Sequence, residues 1–358
     1  MSIVAPSPKG LIPESILRFW RNMSQRRDQV LVRNPGERIY GAPLPVAQEA
    51  FKHWECALLS QLAYINAETI KAQIRKVPLD DVQGVVDPVD PVAALKHAGW
   101  EFLDTFPSLP LDARFKRANL RVEVWAKEDR STIAIAFGGT VATSLADWRS
   151  NLRWVLPKHP DEYSLTVRYF VPDFIRVLKE LKLSKAPTIF ATGHSLGGGL
   201  AQQFAYALPD NFDEQGILSP RVIQVFAFDP SPVTGFYSLK EATRTRNARE
   251  LKTDRVFERG EILASLRSLL ALVQPPSKEH PAIRTVRYNY LGITWPVHAH
   301  SISQFAKSLY GTVRSSLSGQ HAQSTAPNTP LTGQGEELVE VKSAEPSQNA
   351  PSPIRSGR

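Results

Sequence analysis

Cysteine is almost absent: Cys56 is the only one in 358 residues, so no disulfide can form within the chain and cross-linking cannot be the basis of its stability. That usage fits a reducing compartment, the cytoplasm. Long apolar runs are missing too. A membrane-spanning helix needs about 18 or more such residues, and the most apolar window here, Ile262 to Val273, is broken by Arg267. The start, Met1-Ser2-Ile3-Val4-Ala5-Pro6, lacks the basic region and apolar core of a secretory signal, so any export is expected to be signal-peptide-independent. No G-x-G-x-x-G opens a strand-to-helix turn, which removes a dinucleotide-binding reading. Acidic residues are fewer than basic ones, 35 against 43, giving a net charge of +8. That excess favours peripheral contact with an anionic membrane surface, although charge alone has no directionality and a merely solvated basic surface is the plainer reading. No nucleic-acid partner is expected, and the oligomeric state is left open.

What is present is enough for a sizeable core, with 42% hydrophobic and 22% charged residues. Apolar residues recur at three- and four-residue spacing through Ile16 to Leu31 and Val46 to Ile65, so residues 1–120 read as a helical N-terminal extension or cap. Phe19, Trp20, Phe51 and Trp54 belong to this region and could face a membrane, but their helical spacing fits ordinary packing better. Val122 and Val124, then Ile133 to Phe137, form β-rich runs around a turn at Lys127 to Arg130. Helical and strand patterns then alternate: a helix over Tyr163 to Leu183, a strand Thr188 to Thr192, a helix Ser195 to Ala207 and a strand Val222 to Phe228. Strands at Arg255 to Arg259 and Ile283 to Tyr290 and a helix Ser301 to Val313 complete the pattern, which signals parallel strands with helical crossovers over residues 121–315. Residues 316–358, rich in Ser, Pro, Gln, Thr and Gly, cannot bury enough apolar surface to offset ordering and read as a disordered tail.

The strongest local signal is Gly193-His194-Ser195-Leu196-Gly197, preceded by the apolar strand and followed by a helix-compatible run. This is G-x-S-x-G in strand-turn-helix context, where a strained turn lifts the serine hydroxyl out of the sheet. The glycines are needed because a side chain at either would collide with the neighbouring strand or helix. The helix aims its unpaired N–H groups at the reaction centre, with the Leu196 N–H available as an oxyanion donor. His194 is expected to pack or hydrogen-bond beside the nucleophile.

Together with two further blocks this turn resembles the class 3 lipase branch of the α/β-hydrolases over roughly Val122 to Leu309. The first block is Ile133-Ala134-Ile135-Ala136-Phe137-Gly138-Gly139-Thr140 followed by Asp147-Trp148-Arg149-Ser150-Asn151-Leu152, similar to the family's strand ending in R-G-T and then D-W-x-x-N-L. The resemblance implies that Thr140 is the second oxyanion residue, with Gly138 standing where the family usually has Arg. The other block, Arg255-Val256-Phe257-Glu258-Arg259-Gly260-Glu261-Ile262-Leu263, is similar in register to the family's strand ending in N-D-I-V, which places Glu261 on the triad aspartate. Asp229, in Phe228-Asp229-Pro230, is the alternative acid, and it also fits a turn-initiating Asp before Pro.

A triad of this fold runs serine, acid, histidine along the chain, leaving His280, His298, His300 and His321 as candidates for the base. His321 falls in the tail and His280 in a turn before Pro281. His300 directly precedes an amphipathic helix, resembling the family's histidine at a loop-to-helix junction, and is favoured over His298. No cofactor is implied, and a metal site is not expected, because no neighbouring residue in the sequence completes His298-x-His300. The resemblance thus implies a fold with a mostly parallel sheet flanked by helices, and a serine esterase acting on a lipid ester through an acyl-enzyme; the basic charge favours phospholipid. The alternatives are a non-catalytic binding protein on a hydrolase fold and a secreted antibacterial lipase effector.

Overall fold

The computed structural model describes residues 24–65, 90–107, 120–139, 162–183, 185–209, 220–261, 281–292 and 299–324, with side chains up to residue 318. The chain divides into two units, Met1–Ser318 and Gly319–Arg358, and the sheet lies in the first together with Ser195, Asp229, Glu261 and His300. No described helix is long and apolar enough to cross a membrane.

The β-rich runs around Lys127 form an antiparallel hairpin of β4 (Val122–Lys127) and β5 (Thr132–Phe137), with Val122 opposite Phe137. From β5 the sheet continues in parallel through β6 (Thr188–His194), β7 (Val222–Phe228), β8 (Lys252–Glu258) and β9 (Ala282–Tyr288). These are the strands expected from the sequence, with somewhat shifted ends. Parallel strands buried on both faces read as near-continuous apolar runs, which is why Ile133 to Phe137 shows no alternation.

The N-terminal region corrects the expectation of a helical extension over residues 1–120. It supplies three strands to the same sheet: β1 (Gln29–Arg33), β2 (Leu44–Pro45) and β3 (Trp100–Phe106). Among the described residues the strand order is β2-β1-β9-β8-β7-β6-β5-β4-β3. The cause of the misreading is physical. Val30, Leu31 and Val32 are all buried where β1 pairs with β9, so the strand has no polar face and its apolar run cannot be told from a helical one by periodicity. In β3 a register shift between Phe102 and Asp104 breaks the alternation. Two helices of the region remain helices, α1 (Val46–Leu62) and α2 (Pro91–His97), the latter capped by the Asp90 carboxylate, which accepts the Val92 and Ala93 N–H groups.

Helices cover both faces. On one lie α3 (Glu162–Leu165), a π-turn (Thr166–Phe170), α4 (Val171–Glu180), α5 (Leu196–Ala207) and α6 (Glu241–Ala248). The π-turn precedes Pro172, whose ring excludes the carbonyl four residues back and disturbs the helical ladder there. Phe137, Phe170, Phe174 and Phe204 form the centre of this core, with ring centres 5.3 to 6.1 Å apart. The other face carries α1 and α7 (Ile302–Ser324), whose Phe305 and Leu309 are fully buried.

Helix α7 runs past residue 316, where the sequence predicts a disordered tail to begin. The Ser316 and Ser318 hydroxyls return to the carbonyls of Thr312 and Arg314 at 2.9 and 3.0 Å, so these polar residues are satisfied by the helix itself. The remainder of the expected tail lies outside the described residues.

Candidate active site

Four adjacent parallel strands end on the same edge of the sheet, and each is followed by one candidate residue: Ser195 after β6, Asp229 after β7, Glu261 after β8 and, further along, His300 after β9. Ligand sites of open parallel sheets form at this carboxyl edge. All four residues are buried.

Ser195 has φ 57° and ψ −123°, a conformation that side chains rarely adopt. Its N–H donates to the Phe228 carbonyl at 2.9 Å, and its carbonyl accepts the Ser231 N–H at 2.8 Å, so the turn is pinned to the end of β7. The flanking glycines are required for the reason the sequence suggests. A Cβ at Gly193 would strike the Gly197 backbone, and one at Gly197 would strike the Phe137 carbonyl at the end of β5. Leu196 opens α5, and its N–H is among the first-turn amides that have no acceptor within the helix.

The His300 Nδ1 lies 3.2 Å from Glu261 Oε2, both side chains being almost completely buried. Asp229 is the other carboxylate. Its Oδ1 accepts the Glu258 N–H at 3.2 Å, and its φ of 39° is one that Asp tolerates better than most residues. Ligand atoms of His194, Asp229 and His300 lie within 4.8 Å of one another, a grouping that could hold a metal ion. No sequence neighbour of His300 supplies such a grouping; the tertiary fold brings up His194 and Asp229, which are remote in sequence. Thr140, His298 and His280, like Asp147 to Leu152, Phe19 and Trp20, lie outside the described residues. Of the aromatic residues read as a cap, Trp54 packs on Tyr310 with ring centres 5.4 Å apart, and Phe51 is exposed.

Three residues that sequence reasoning did not single out also build the site. Tyr64, just past the end of α1, places its hydroxyl 2.8 Å from His194 Nδ1, and the His194 ring packs on that of His300 at 4.5 Å. Burial pushes the Tyr64 hydroxyl pKa well up, so it stays protonated and can donate. Arg121 lies beside the glycine at position 138. A Cβ on Gly138 would press on the Ala63 carbonyl at 2.7 Å, and the Arg121 guanidinium donates to the Tyr64 carbonyl at 2.5 Å while the Arg121 carbonyl accepts the Gly138 N–H. Glu258 accepts the N–H groups of Tyr290 and Leu291 at 3.2 and 3.1 Å and so fixes the chain leaving β9; burial raises its pKa to about 7. None of the three carried a sequence signal, since β8 (KTDRVFE) holds other charges besides Glu258.

Residues 55–212 match the family described as phospholipase-like, the Tle-like phospholipase domain. The match contains Ser195 and Thr140 and ends before Asp229, Glu261 and His300. No curated protein matches the chain. Among solved structures, lipase II from Rhizopus niveus is similar at 16% identity over 67% of this chain and 78% of that one, with a TM-score of 0.39. The lipase of Rhizopus microsporus var. chinensis is similar at 17% identity over 60% and 68%, TM-score 0.39. The native Rhizomucor miehei lipase propeptide complex is similar at 16% over 72% and 73%, TM-score 0.38. The sheet order and nucleophile turn are those of an α/β-hydrolase fold, and residues 55–212 are similar to a phospholipase-like domain.

Proposed function

We propose that the protein hydrolyses lipid carboxylic esters through an acyl-enzyme on Ser195, with His300 as general base and Glu261 as the acid that orients it. The observation that carries this reading is the buried 3.2 Å contact between His300 Nδ1 and Glu261 Oε2 at the carboxyl edge that also bears Ser195. A carboxylate on Nδ1 fixes the tautomer whose Nε2 accepts the serine proton, and it stabilises the imidazolium that results. Ser195 attacks the ester carbonyl, His300 takes its proton and returns it to the leaving alcohol, and water then releases the acid by the same exchange. The Leu196 and Thr140 N–H groups bind the oxyanion, each worth about 2.7–4 kcal/mol in comparable enzymes. Asp229, which holds the Glu258 N–H, has a structural role in this scheme.

Phospholipid is the favoured substrate. The matched family is described as phospholipase-like, and the net charge of +8 favours an anionic lipid surface. The test is hydrolysis by purified protein of a soluble ester, a triacylglycerol emulsion and phospholipid vesicles, with Ser195→Ala as control and a chelator arm. Loss of activity in Ser195→Ala with phospholipid turned over fastest is the expected result. Activity surviving in the mutant overturns the nucleophile, and activity abolished by chelation moves the chemistry to a metal held by His194, Asp229 and His300.

A further inference from the structure

One cavity walled by described residues lies away from the nucleophile. It encloses about 600 Å³ on the α1 face of the sheet, at the ends where the parallel strands begin. Phe190 on its wall precedes Ser195 by five residues of β6, so the two sites are roughly 16 Å apart at 3.3 Å per residue.

The floor of this groove is one row of residues paired across four neighbouring strands: Phe190, Gln224, Lys252 and Ala282. Neighbouring strands lie about 4.8 Å apart, so the row alone spans about 14 Å. One end is aromatic, with Phe190 and Phe226 in edge contact at 5.9 Å and Trp100 beyond them. Phe51 of α1, 43% exposed, forms an apolar lip.

The other end is cationic. Asp254 is matched by Arg284 and His53, each at 3.0 Å, and Glu49 by Arg284 and Lys52 at 2.6 and 2.9 Å. Glu55 is matched by Lys127 at 3.2 Å, with Trp100 Nε1 donating to it at 2.8 Å. Against these three carboxylates stand four cations, and the one left over is Lys252, which is exposed on the groove floor and has no ion pair among the described residues. Cys56, also on the wall, has its thiol pKa driven up by burial and offers no reactive thiolate. The groove is thus elongated, aromatic at one end, where the Glu55–Lys127 pair beside Trp100 is matched internally, and singly positive at Lys252.

We propose that this groove is a binding site for a long-chain anionic amphiphile, a fatty carboxylate, with its head at Lys252 and its chain along Phe190 and Phe226 towards Trp100. A fatty acid is also what ester hydrolysis at Ser195 releases, so the site would hold the product of the reaction proposed above. Only that origin of the ligand rests on the proposed function; the groove and its charge do not.

The probe is 11-(dansylamino)undecanoic acid, titrated below its aggregation concentration into the full-length Ser195→Ala protein and displaced with palmitate or hexadecanol. Expected are one site per chain and displacement by palmitate at lower concentration than by the uncharged alcohol. Lys252→Glu, a surface change, should weaken binding about fivefold, the size of one solvent-accessible ion pair. Ala282→Trp, which fills the floor, should abolish it with the thermal melt retained. Both variants, made in the protein with Ser195 intact, should keep wild-type rates on a soluble ester. Absence of saturable binding, or binding left unchanged by Lys252→Glu, overturns the site. So does loss of the probe when wild-type Ser195 is blocked by a fluorophosphonate, since the probe would then lie in the catalytic cleft. A Ser195→Ala protein that still hydrolyses ester would instead overturn the proposed function and leave the groove result standing.

Discussion

Glu261→Gln separates the two candidate acids. The substitution keeps the side-chain volume and replaces a buried charge 3.2 Å from His300 Nδ1 by a neutral amide. Two unit charges at that separation, with an effective dielectric constant near 20, interact by about 5 kcal/mol. That interaction exists only when the imidazole is protonated, as it is in the transition state. Its loss therefore falls on kcat and amounts to a factor of about 10³–10⁴, comparable to the effect of a carboxylate-to-amide change in a serine-protease triad. Asp229→Asn should behave differently. The amide oxygen can still accept the Glu258 N–H, and asparagine tolerates the φ of 39°, so kcat should fall about tenfold or less. The assay is kcat on a soluble p-nitrophenyl ester, with thermal melting in parallel to set aside misfolded protein. A well-folded Glu261→Gln enzyme within tenfold of wild type, beside a dead but folded Asp229→Asn, would refute this reasoning and move the acid to the end of β7.

Ser195→Gly should abolish ester hydrolysis and raise stability by about 1 kcal/mol or more, because glycine removes the cost of holding a side chain at φ 57°; a denaturant midpoint below wild type would show that the turn is unstrained. Glu123 is fully buried on β4, with Trp125 Nε1 donating to it at 3.0 Å, and desolvation raises its pKa to about 8. A raised acid favours the folded state while protonated, so its contribution is fully present below pH 4.5 and is lost as the pH rises through 8. Glu123→Gln should therefore gain stability relative to wild type by up to a few kcal/mol between pH 6 and pH 9, measured by urea unfolding. A constant difference across that range would place the carboxyl pKa below about 6 and refute the desolvation of Glu123.

Features set by near neighbours in the chain were legible in the sequence. The turn at Ser195 is local: a short apolar strand, two glycines whose absent side chains permit close approach, and a helix that starts at once. The hairpin of β4 and β5 and the alternation from β6 to β9 follow from patterns within single elements, and so do the parallel sheet and the carboxyl edge on which the candidate residues fall. What the sequence could not settle depended on partners far along the chain. β1 is a strand because β9 lies beside it, and its buried run Val30-Leu31-Val32 has the same composition as a helical face. Both carboxylates come near His300, and which of them meets its Nδ1 is decided by packing: Asp229 follows β7 directly, whereas Glu261 stands beyond the Gly260 turn after β8. Tyr64 meets His194 across 130 residues and Arg121 approaches the glycine at 138, contacts with no periodicity to announce them. Side-chain spacing along one element follows from backbone geometry, whereas contacts between elements are decided by packing, and only the folded chain fixes those.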